Sequence, residues 1–446
     1  MCSDLKHESK PNTIVAIGAQ WGNEGKGRLI ANLSQSADVC ARFNGGANNI
    51  HTLTIGGNGE VHIGRDTVPG DIGSRSLLLR LLPLGVINKS CAIVLGNGMV
   101  IHLPTLLKEI REIESTFDKD IMNRIFISSR AHVVFDFHLE MDRVFDELRG
   151  SKLGTTLKGI GPAYSTKTIR NGIRMADLSS DSATLHDKIR DLIQYFEKFH
   201  TGLKVNVEEV VFSTLSVFKA IEPRVVDTVA LMSNFMKEGK AIVCESADSV
   251  MSDIDFGTYP FVTSANTTCG AASVGLGIPP TKIGTVIGVC KSFTSRTQHW
   301  FPSVLDPASQ EAKHLIEKGK EIGTTSNRPR RVGWLDLVQL KYACDISGFD
   351  SLLLTKLDAL SGLDKIGMVT GYSNFNVDVD GYPSSIEDYM KIEPVVEYMD
   401  GWKEPLSSVS SFTDLPETAK QFIARIEKFV KCPVMRIQVG LNIIAQ

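Results

Sequence analysis

The chain has 446 residues, which exceeds the usual size of one compact core, so two domains or one large α/β sheet with insertions is expected. Hydrophobic residues make up 42% and charged residues 22%, which is ordinary for a globular protein and excludes a disordered or fibrous class. The formal charge of -3 provides no global attraction for nucleic acid or an anionic membrane surface, so any phosphate binding must be local.

The chain begins with a polar stretch, and we interpret residues 1–12 as a disordered tail rather than a signal sequence. The apolar run Thr13 to Ile17 predicts the first strand, and Arg28 to Leu33 is predicted to be helical. Residues 13–446 are predicted to form a single domain, because no repeat, low-complexity tract or linker interrupts them. No run approaches the roughly 20 apolar residues of a membrane-spanning helix, so a cytoplasmic protein without a membrane partner is expected.

Short apolar runs rich in β-branched residues then alternate with helical stretches. This alternation predicts an α/β fold with a large, mostly parallel central sheet flanked by helices. The glycine-rich segment Gly56 to Ser76 breaks the alternation and predicts a surface hairpin or a flexible loop. Amphipathic patterns from Ser180 to Lys237, with little strand signal, predict a helical insertion. Strands are predicted at Cys91–Leu95, Ile125–Ile127, Ala241–Val243, Thr285–Val289 and Ser351–Leu354, and helices at Pro104–Ile113 and Ala419–Val430.

The first chemically informative stretch is Gly18 to Arg28, which reads GAQWGNEGKGR and lies between the first predicted strand and helix. Glycines let backbone N–H groups approach phosphate oxygens, the helix N-terminus offers its positive dipole end, and Lys26 can reach a phosphate. The standard Walker spacing is absent, however, and a glycine-rich turn is also a common structural connection. The residues alone therefore do not decide between a phosphate-binding loop and a structural turn.

Several longer strings, in the same order along the chain, resemble the adenylosuccinate synthetase family. QWG-x-EGKG in the loop resembles the family's opening signature, and RFNGGANNIHT (Arg42–Thr52) matches its second block. The resemblance implies an α/β fold with a P-loop-like GTP-binding loop. It also implies GTP-dependent ligation of IMP and L-aspartate to adenylosuccinate, in purine biosynthesis. The further matching strings are Gly154–Arg174, Asp253–Pro280, RPRRVGWLD (Arg328–Asp336) and LTKLDAL (Leu354–Leu360).

The resemblance implies catalytic roles at positions 23, 26 and 51. In the family, the loop acid at position 23 deprotonates the IMP base and binds Mg²⁺, and Lys26 neutralises charge during phosphoryl transfer. His51 would donate to the purine oxygen and the migrating phosphoryl group, although a lone histidine is more often structural. Asp358 would bind guanine, and a helix N-cap is the alternative explanation for it. GTP contacts are implied for Gly22, Asn23, Glu24, Gly25, Lys26, Gly27, Arg28, Ile50, His51, Thr52, Arg330, Lys356, Leu357, Asp358, Val439 and Gly440.

Two further ligands and a partner subunit follow from the same resemblance. Arg170 reaches into the partner subunit's site in the family, which implies a homodimer; a solvated helix charge is the alternative. The loop Thr324 to Arg330 would close over aspartate, because arginine forks bind carboxylates bidentately, and a solvated basic loop is the alternative. IMP contacts are implied for Asn23, Glu24, Gly25, Lys26, Asn48, Asn49, Ile50, His51, Thr156, Arg170, Asp248, Thr263 and Arg328, and aspartate contacts for Thr324, Thr325, Ser326, Asn327, Arg328, Pro329 and Arg330.

The chain departs from the family pattern around this same pocket. Asn23 stands in place of the acid and can neither accept a proton nor bring negative charge to Mg²⁺. Loss of a general base typically costs on the order of 100- to 10,000-fold in rate. Ile50 replaces the glycine whose carbonyl helps to bind the metal, so Asn23 and Ile50 are the implied metal positions. Asn44 replaces a glutamine, and Asp248 replaces the glutamine of the family's EGAQG string, which here reads ESADS.

These departures leave two alternatives to a working ligase. The first is a catalytically impaired paralogue that binds nucleotide or pairs with an active subunit and has a regulatory role, in which case activity fails because Asn23 replaces the catalytic acid. The second is an enzyme with an altered purine substrate, and Asp248 is the residue that suggests it.

Overall fold

The computed structural model describes residues 10–56, 61–63, 75–150, 153–297, 299–323, 328–376, 381–440 and 442–446. Several predictions therefore lie outside the described residues. They concern residues 1–9 of the predicted tail, most of the segment Gly56 to Ser76, and the aspartate-loop positions Thr324, Thr325, Ser326 and Asn327.

The strands of the described chain are mostly short and buried. In the centre of the sheet they read as continuous apolar runs, such as SLLLT, because helices cover both faces of a parallel sheet. The strands are β1 (Thr13–Gly18), β2 (Val39–Arg42), β3 (His51–Ile55), β4 (Val61–Ile63), β5 (Arg75–Leu79), β6 (Ala92–Leu95), β7 (Val100–His102), β8 (Ile125–Ser128), β9 (His132–Val134), β10 (Val225–Val226), β11 (Ile242–Ser249), β12 (Thr285–Lys291), β13 (Thr294–Arg296), β14 (Arg331–Gly333), β15 (Leu335–Asp336), β16 (Ser351–Thr355), β17 (Lys365–Tyr372), β18 (Pro394–Asp400), β19 (Val434–Val439) and β20 (Asn442–Ala445).

The helices carry their apolar residues at helical spacing. In the last of them the buried positions are 419, 422, 423, 426 and 430, one stripe that faces the core. The helices are α1 (Lys26–Ser34), α2 (Leu103–Thr116), α3 (Asp136–Leu148), α4 (Ile160–Thr168), α5 (Ser182–Glu197), α6 (Val207–Ile221), α7 (Thr228–Lys237), α8 (Cys269–Leu276), α9 (Gln310–Lys318), α10 (Leu337–Ser347), α11 (Ile386–Tyr389) and α12 (Glu417–Val430).

The main sheet of the described residues has ten strands in the order β10-β8-β6-β2-β11-β1-β12-β16-β19-β20. The neighbours β10 and β8, β8 and β6, β6 and β2, β2 and β11, β12 and β16, and β16 and β19 pair in parallel. Strand β20 pairs antiparallel with β19. The predicted fold class, a large and mostly parallel sheet flanked by helices, is confirmed.

One of the predicted segments contains a strand that the sequence pattern did not indicate, and another contains a strand that agrees with one of its two predicted alternatives. Within Ser180 to Lys237 the helices α5, α6 and α7 form, but β10 lies between them and pairs with β8. A strand of two residues is too short to produce a period-2 signal. Within Gly56 to Ser76, β4 pairs antiparallel with β3, which agrees with the hairpin alternative.

Contacts between residues divide the chain into two compact units. The first comprises Met1–Val15, Ile30–Ala247 and Gly270–Thr285. The second comprises Ala16–Leu29, Asp248–Cys269 and Val286–Gln446. The interpretation of 13–446 as a single domain with an insertion stays a prediction. In the part of the chain that the structure describes, no helix is long and apolar enough to cross a membrane.

Candidate active site

The loop between β1 and α1, in the second unit, is a tight turn. Strand β1 ends at Gly18 and α1 begins at Lys26. Gly22 and Gly25 have φ angles of 98° and 91°, a region in which a side chain would be strained. Asn23 lies between them at a φ of 61°, which asparagine tolerates better than most residues. The turn needs these glycines, and it places Lys26 at the helix N-terminus, where an anion would bind.

Glu24 is the acceptor that holds this loop together. Its Oε1 accepts hydrogen bonds from the backbone N–H groups of Gly22, at 2.7 Å, and Gln20, at 3.2 Å. Its Oε2 accepts from Lys26 Nζ at 2.9 Å. Burial opposes ionisation of the carboxyl, but the Lys26 ammonium and the Ser249 hydroxyl outweigh burial and hold the pKa of Glu24 below its usual range. The loop is therefore organised around a buried, ionised acid.

Lys26 is held by two acceptors. Besides Glu24, its Nζ donates to Ser249 Oγ at 3.0 Å, and the residue is only 7% exposed. Ser249 ends β11 and approaches the loop closely because Gly18 has no side chain: a Cβ there would lie 2.0 Å from Ser249 Oγ. An ammonium has three N–H donors, so two bonds fix its direction while using two of them. Sequence analysis assigned no role to Ser249, although the ESADS string contains it.

Asn23 is bonded to an arginine of the predicted aspartate loop. Arg330 Nη2 donates to Asn23 Oδ1 at 3.1 Å, and Arg330 Nη1 donates to Glu321 Oε2 at 2.9 Å. Lys291 Nζ lies 2.6 Å from Glu321 Oε1, and Lys356 Nζ lies 3.7 Å from it. Burial opposes ionisation of Glu321, but these three cations outweigh it and lower its pKa to about 2. Glu321 thus anchors Arg330 beside the loop, a role that sequence analysis missed.

The strings predicted to bind guanine also contact the phosphate loop. Thr355 Oγ1, at the end of β16, donates to the backbone oxygen of Glu24 at 2.6 Å. Arg28 Nη1 donates to the backbone oxygen of Gly440, which follows β19. Asp358 is the second residue of a short 3-10 helix, Leu357–Leu360, and is partly exposed. The N-cap of that helix is Lys356, so the helix-capping explanation of Asp358 does not hold.

His51 belongs to the first unit, where it begins β3. Its Nε2 lies 2.8 Å from Glu245 Oε1, and the other carboxylate oxygen of Glu245 accepts from the backbone N–H of Leu84 at 2.9 Å. Burial opposes ionisation of Glu245, but His51 and Arg42 outweigh it and hold the pKa of Glu245 below its usual range. Glu245 therefore fixes the direction of the His51 ring. Glu245 is the first residue of the ESADS string, but the sequence pattern did not indicate a role for it.

The loop before His51 is held by its own asparagines. Asn48 Oδ1 accepts from the backbone N–H of Gly46, and Asn49 Oδ1 accepts from that of Ile50, both at 3.0 Å. Side chains that bond their own backbone stabilise turns. Asn44 forms two bonds with Ala247 in β11: Nδ2 donates to its oxygen at 3.1 Å, and Oδ1 accepts from its N–H at 2.8 Å.

The remaining predicted IMP positions are distributed over both units. In the first, Thr156 and Arg170 are exposed, and Arg170 has a φ of 68° just after α4 ends. It is therefore a helix-terminating residue, which differs from the alternative of a charge within a helix. In the second, Asp248 is partly exposed in β11 with a φ of 62°, Thr263 donates its N–H to the oxygen of Ser252 at 2.8 Å, and Arg328 is exposed.

Comparison with known proteins identifies the family. The family model for adenylosuccinate synthetase matches residues 15–443. The chain belongs to the adenylosuccinate synthetase family. It is 40% identical over 427 residues to an adenylosuccinate synthetase of Coprinopsis cinerea, covering 96% of this chain and 96% of the relative. It is 39% identical over 441 residues to one of Trichoplax adhaerens, covering 98% of this chain and 95% of the relative.

A solved structure agrees with this assignment. The fully ligated adenylosuccinate synthetase from Plasmodium falciparum matches with a TM-score of 0.86 and 38% sequence identity, over 98% of this chain and 100% of that one. The predicted family is thus confirmed. The comparisons also agree with the main functional prediction for this chain, which is adenylosuccinate synthetase. The roles of individual residues, and the consequence of Asn23, stay predictions.

Proposed function

We propose that this chain catalyses the GTP-dependent ligation of IMP and L-aspartate to adenylosuccinate, the first committed step from IMP to AMP. The observation that carries the proposal is the family match over residues 15–443, together with near-complete coverage of relatives about 40% identical. The purine oxygen would attack the γ-phosphorus of GTP, and the amine of aspartate would then displace the phosphate.

In this proposal, the phosphate loop and the adjoining strings of the second unit bind GTP. Lys26 is already directed by Glu24 and Ser249, and it would neutralise charge on the transferring phosphoryl group. Asp358 would accept from the guanine ring. Arg328 and Arg330 would bind the aspartate carboxylates. The hydrogen bond from Arg330 to Glu321 would orient the Arg330 guanidinium for that contact.

His51 would act as a donor to the purine oxygen and the migrating phosphoryl group. The short contact with Glu245 supports this role, because a carboxylate on one side of an imidazole fixes the direction of the ring. Thr156 and Arg170 would bind IMP.

Mg²⁺ is proposed to enter as the complex with GTP. Position 23 fits a resident metal poorly, because its amide oxygen is neutral and accepts a hydrogen bond from Arg330 at 3.1 Å. Among the described residues, no group of three or more His, Cys, Asp and Glu side chains could hold a metal ion. Asn23 and the backbone oxygen of Ile50 would at most supplement ligands from the nucleotide and water.

We also propose a cytoplasmic homodimer in which Arg170 acts across the interface. The exposed position of Arg170 at the end of α4 supports this role. Mixing the Arg170→Ala and Lys26→Met variants tests it: an active mixture from two inactive parents would show that the subunits share sites. A mixture as inactive as its parents, with dimers present by analytical ultracentrifugation, would contradict action in trans.

The assay that tests the main proposal follows IMP conversion in the presence of GTP, Mg²⁺ and aspartate, beside the Asn23→Asp variant. Turnover by the unmodified protein is expected, with a gain in the variant. Turnover by the variant alone would make Asn23 the cause of inactivity and the natural protein a regulatory paralogue. No turnover by either, with the fold intact, would exclude the ligase.

The impaired, nucleotide-binding paralogue is the second candidate, and the bond between Asn23 and Arg330 favours it. This bond engages the oxygen at the position where the family has a catalytic acid. The candidate predicts binding without catalysis. GTP or IMP at 100 times its dissociation constant would stabilise the fold by about 2.7 kcal/mol, while turnover stays undetectable.

A further inference from the structure

Helix α2 buries an acid among its apolar residues. Glu109 is only 3% exposed, and it lies on the same helix face as the buried Leu106 and Ile110. Burial raises the pKa of Glu109 to about 7, although backbone N–H bonds and the Arg42 guanidinium lower it. A carboxyl group whose pKa is raised by folding costs stability at neutral pH. This cost indicates that the acid has a specific role.

Glu109 bonds the backbone of segment 80–82, which follows β5. Its Oε1 accepts from the N–H of Arg80 at 2.8 Å and from that of Leu81 at 3.2 Å. Its Oε2 accepts from the N–H groups of Leu81 and Leu82, both at 3.1 Å. A carboxylate can accept several such bonds, whereas an amide has one oxygen and would turn its NH₂ group towards the remaining donors. The carboxylate therefore fixes three successive backbone N–H groups.

Segment 80–82 lies between two contacts of His51. Beyond the segment, the N–H of Leu84 donates to Glu245 Oε2 at 2.9 Å, and Glu245 Oε1 lies 2.8 Å from His51 Nε2. Before the segment, Leu79 pairs with His51 across β5 and β3. A movement of segment 80–82 would therefore reach the histidine through the strand pair and through Glu245.

We infer that Glu109 is a positioning residue for His51. The inference rests on the proposed function, in which His51 acts on the purine oxygen and the migrating phosphoryl group. Glu109 acts through the backbone: it fixes segment 80–82, and with it the direction in which the Leu84 N–H meets Glu245. While that N–H is in place, the Glu245 carboxylate keeps one orientation and the His51 ring keeps its direction.

The competing explanation is that Glu109 serves only to stabilise the end of β5. The variant Glu109→Gln separates the two explanations. If Glu109 positions His51, kcat of the folded variant should fall about 10-fold while KM for GTP and for IMP changes by less than about 2-fold, because a small misplacement slows the reaction without removing a substrate contact. If its role is stability alone, the melting temperature changes and kcat below that temperature does not.

The double variant Glu109→Gln/Glu245→Gln supplies the decisive comparison. Glu109→Gln should lower kcat about 10-fold when Glu245 is present, but less than about 2-fold in a Glu245→Gln background, because the effects of residues that act through one another are not additive. If Glu109→Gln does not fold, Glu109→Asp takes its place. Its carboxylate is one methylene shorter and should reach fewer of the N–H groups, with the same dependence on Glu245.

Glu112→Gln is the matched control. Glu112 lies on the same helix, but it is partly exposed and pairs with Lys108 at 3.8 Å. Because an exposed pair of this kind contributes little, the control variant should keep kcat and both KM values of the unmodified protein.

Hydrogen exchange measures the positioning without the reaction. The amides of Leu81, Leu82 and Leu84 should exchange about 10-fold faster in Glu109→Gln than in the unmodified protein, because the segment that carries them is no longer held. Unchanged exchange at Leu84 would overturn the inference, whatever the turnover.

The kinetic outcomes distinguish the inference from the proposed function. Equal kcat for the unmodified protein and Glu109→Gln would overturn the inference and leave the ligase standing. An effect on KM alone, or the same loss of kcat with and without Glu245, would do so as well. No turnover by the unmodified protein would exclude the ligase, and with it the role of Glu109 in the reaction.

Discussion

The phosphate loop and the strand that begins with His51 resemble each other in one respect: in both, a buried glutamate bonds a side chain that is predicted to be catalytic. The two regions differ in that side chain. Each presents a side chain predicted to act on the transferring phosphoryl group, and each fixes that side chain with a fully buried glutamate, Glu24 or Glu245. In the loop the partner is the ammonium group of a lysine, and in the strand it is the imidazole ring of a histidine.

This difference predicts how each region responds to a broken pair. Removal of the lysine leaves a buried carboxylate without its cation, which is costly for folding. Replacing the glutamate beside His51 by glutamine keeps a side chain of the same shape that can still form a hydrogen bond, so the cost should fall on catalysis. Substitutions in the phosphate loop are therefore expected to lower the stability of the fold more. Substitutions beside His51 are expected to lower the reaction rate with little effect on stability.

The largest effect is expected for Lys26→Met. It should destabilise the fold by about 4 kcal/mol, because Glu24 stays buried without a counter-charge, and should lower turnover about 1,000-fold. Denaturant unfolding and the ligase assay measure the two effects. In Glu24→Gln/Lys26→Met the stability should return while turnover stays low. A double variant as unstable as the single one would show that the ion pair is not what holds the loop.

Glu321→Gln extends the comparison to an acid shared by several cations. Its pKa of about 2 in the folded state lies below the ordinary value of 4.5, so the carboxylate stabilises the fold fully above pH 4.5 and progressively less as the pH falls towards 2. At pH 7 the variant should be less stable by about 3 kcal/mol. The difference from the unmodified protein should shrink by about 1 kcal/mol between pH 6 and pH 4.

The control for that measurement is Asp364→Asn, which removes an exposed acid paired with Lys403. Exposed pairs contribute little, so its stability should follow that of the unmodified protein at every pH. A difference for Glu321→Gln that does not change with pH would show that shape, rather than charge, makes Glu321 necessary.

Glu245→Gln tests the histidine strand. Glutamine can keep the bond from the Leu84 N–H but removes the carboxylate that orients the His51 ring, so kcat should fall about 100-fold. KM for GTP should change little, because the loop and guanine strings are untouched. Circular dichroism and unfolding check the fold. A change confined to KM would assign Glu245 to binding instead of to the orientation of His51.

Ser249→Ala should have the smallest effect. It removes one of the two acceptors of Lys26 and should cost about 1 kcal/mol of stability. Ser246→Ala is the matched control, since Ser246 is also buried in β11 but donates to the oxygen of Ala247, at 2.9 Å. In a Lys26→Met background the cost of Ser249→Ala should change, because Lys26 is gone and only the bond between Ser249 and Glu24 is left, while the cost of Ser246→Ala should stay the same. If Ser249→Ala cost the same stability with Lys26 and with Met at position 26, the contribution of Ser249 would not depend on Lys26.

Much of the fold follows from local patterns in the sequence. The apolar run from Thr13, the loop glycines and the run before Thr355 indicate strands and a strand-to-helix turn, and β1, α1 and β16 form there. Buried parallel strands are apolar on both faces, which makes them conspicuous. Strand β10 has two residues and forms through pairing with β8, so its own sequence contains no signal.

The family and the parallel α/β fold could be predicted from the amino-acid sequence, because they depend on short contiguous strings, and the same strings are the basis of the predicted roles of the loop, His51, Arg330 and Asp358. Only the folded structure shows which acids bond Lys26, His51 and Arg330. Glu24 pairs with Lys26, which also donates to Ser249; Glu245 pairs with His51, and Glu321 with Arg330 and Lys291. Most of these partners are distant in the chain, and burial, which makes such pairs strong and their loss costly, cannot be read from a residue's neighbours in sequence.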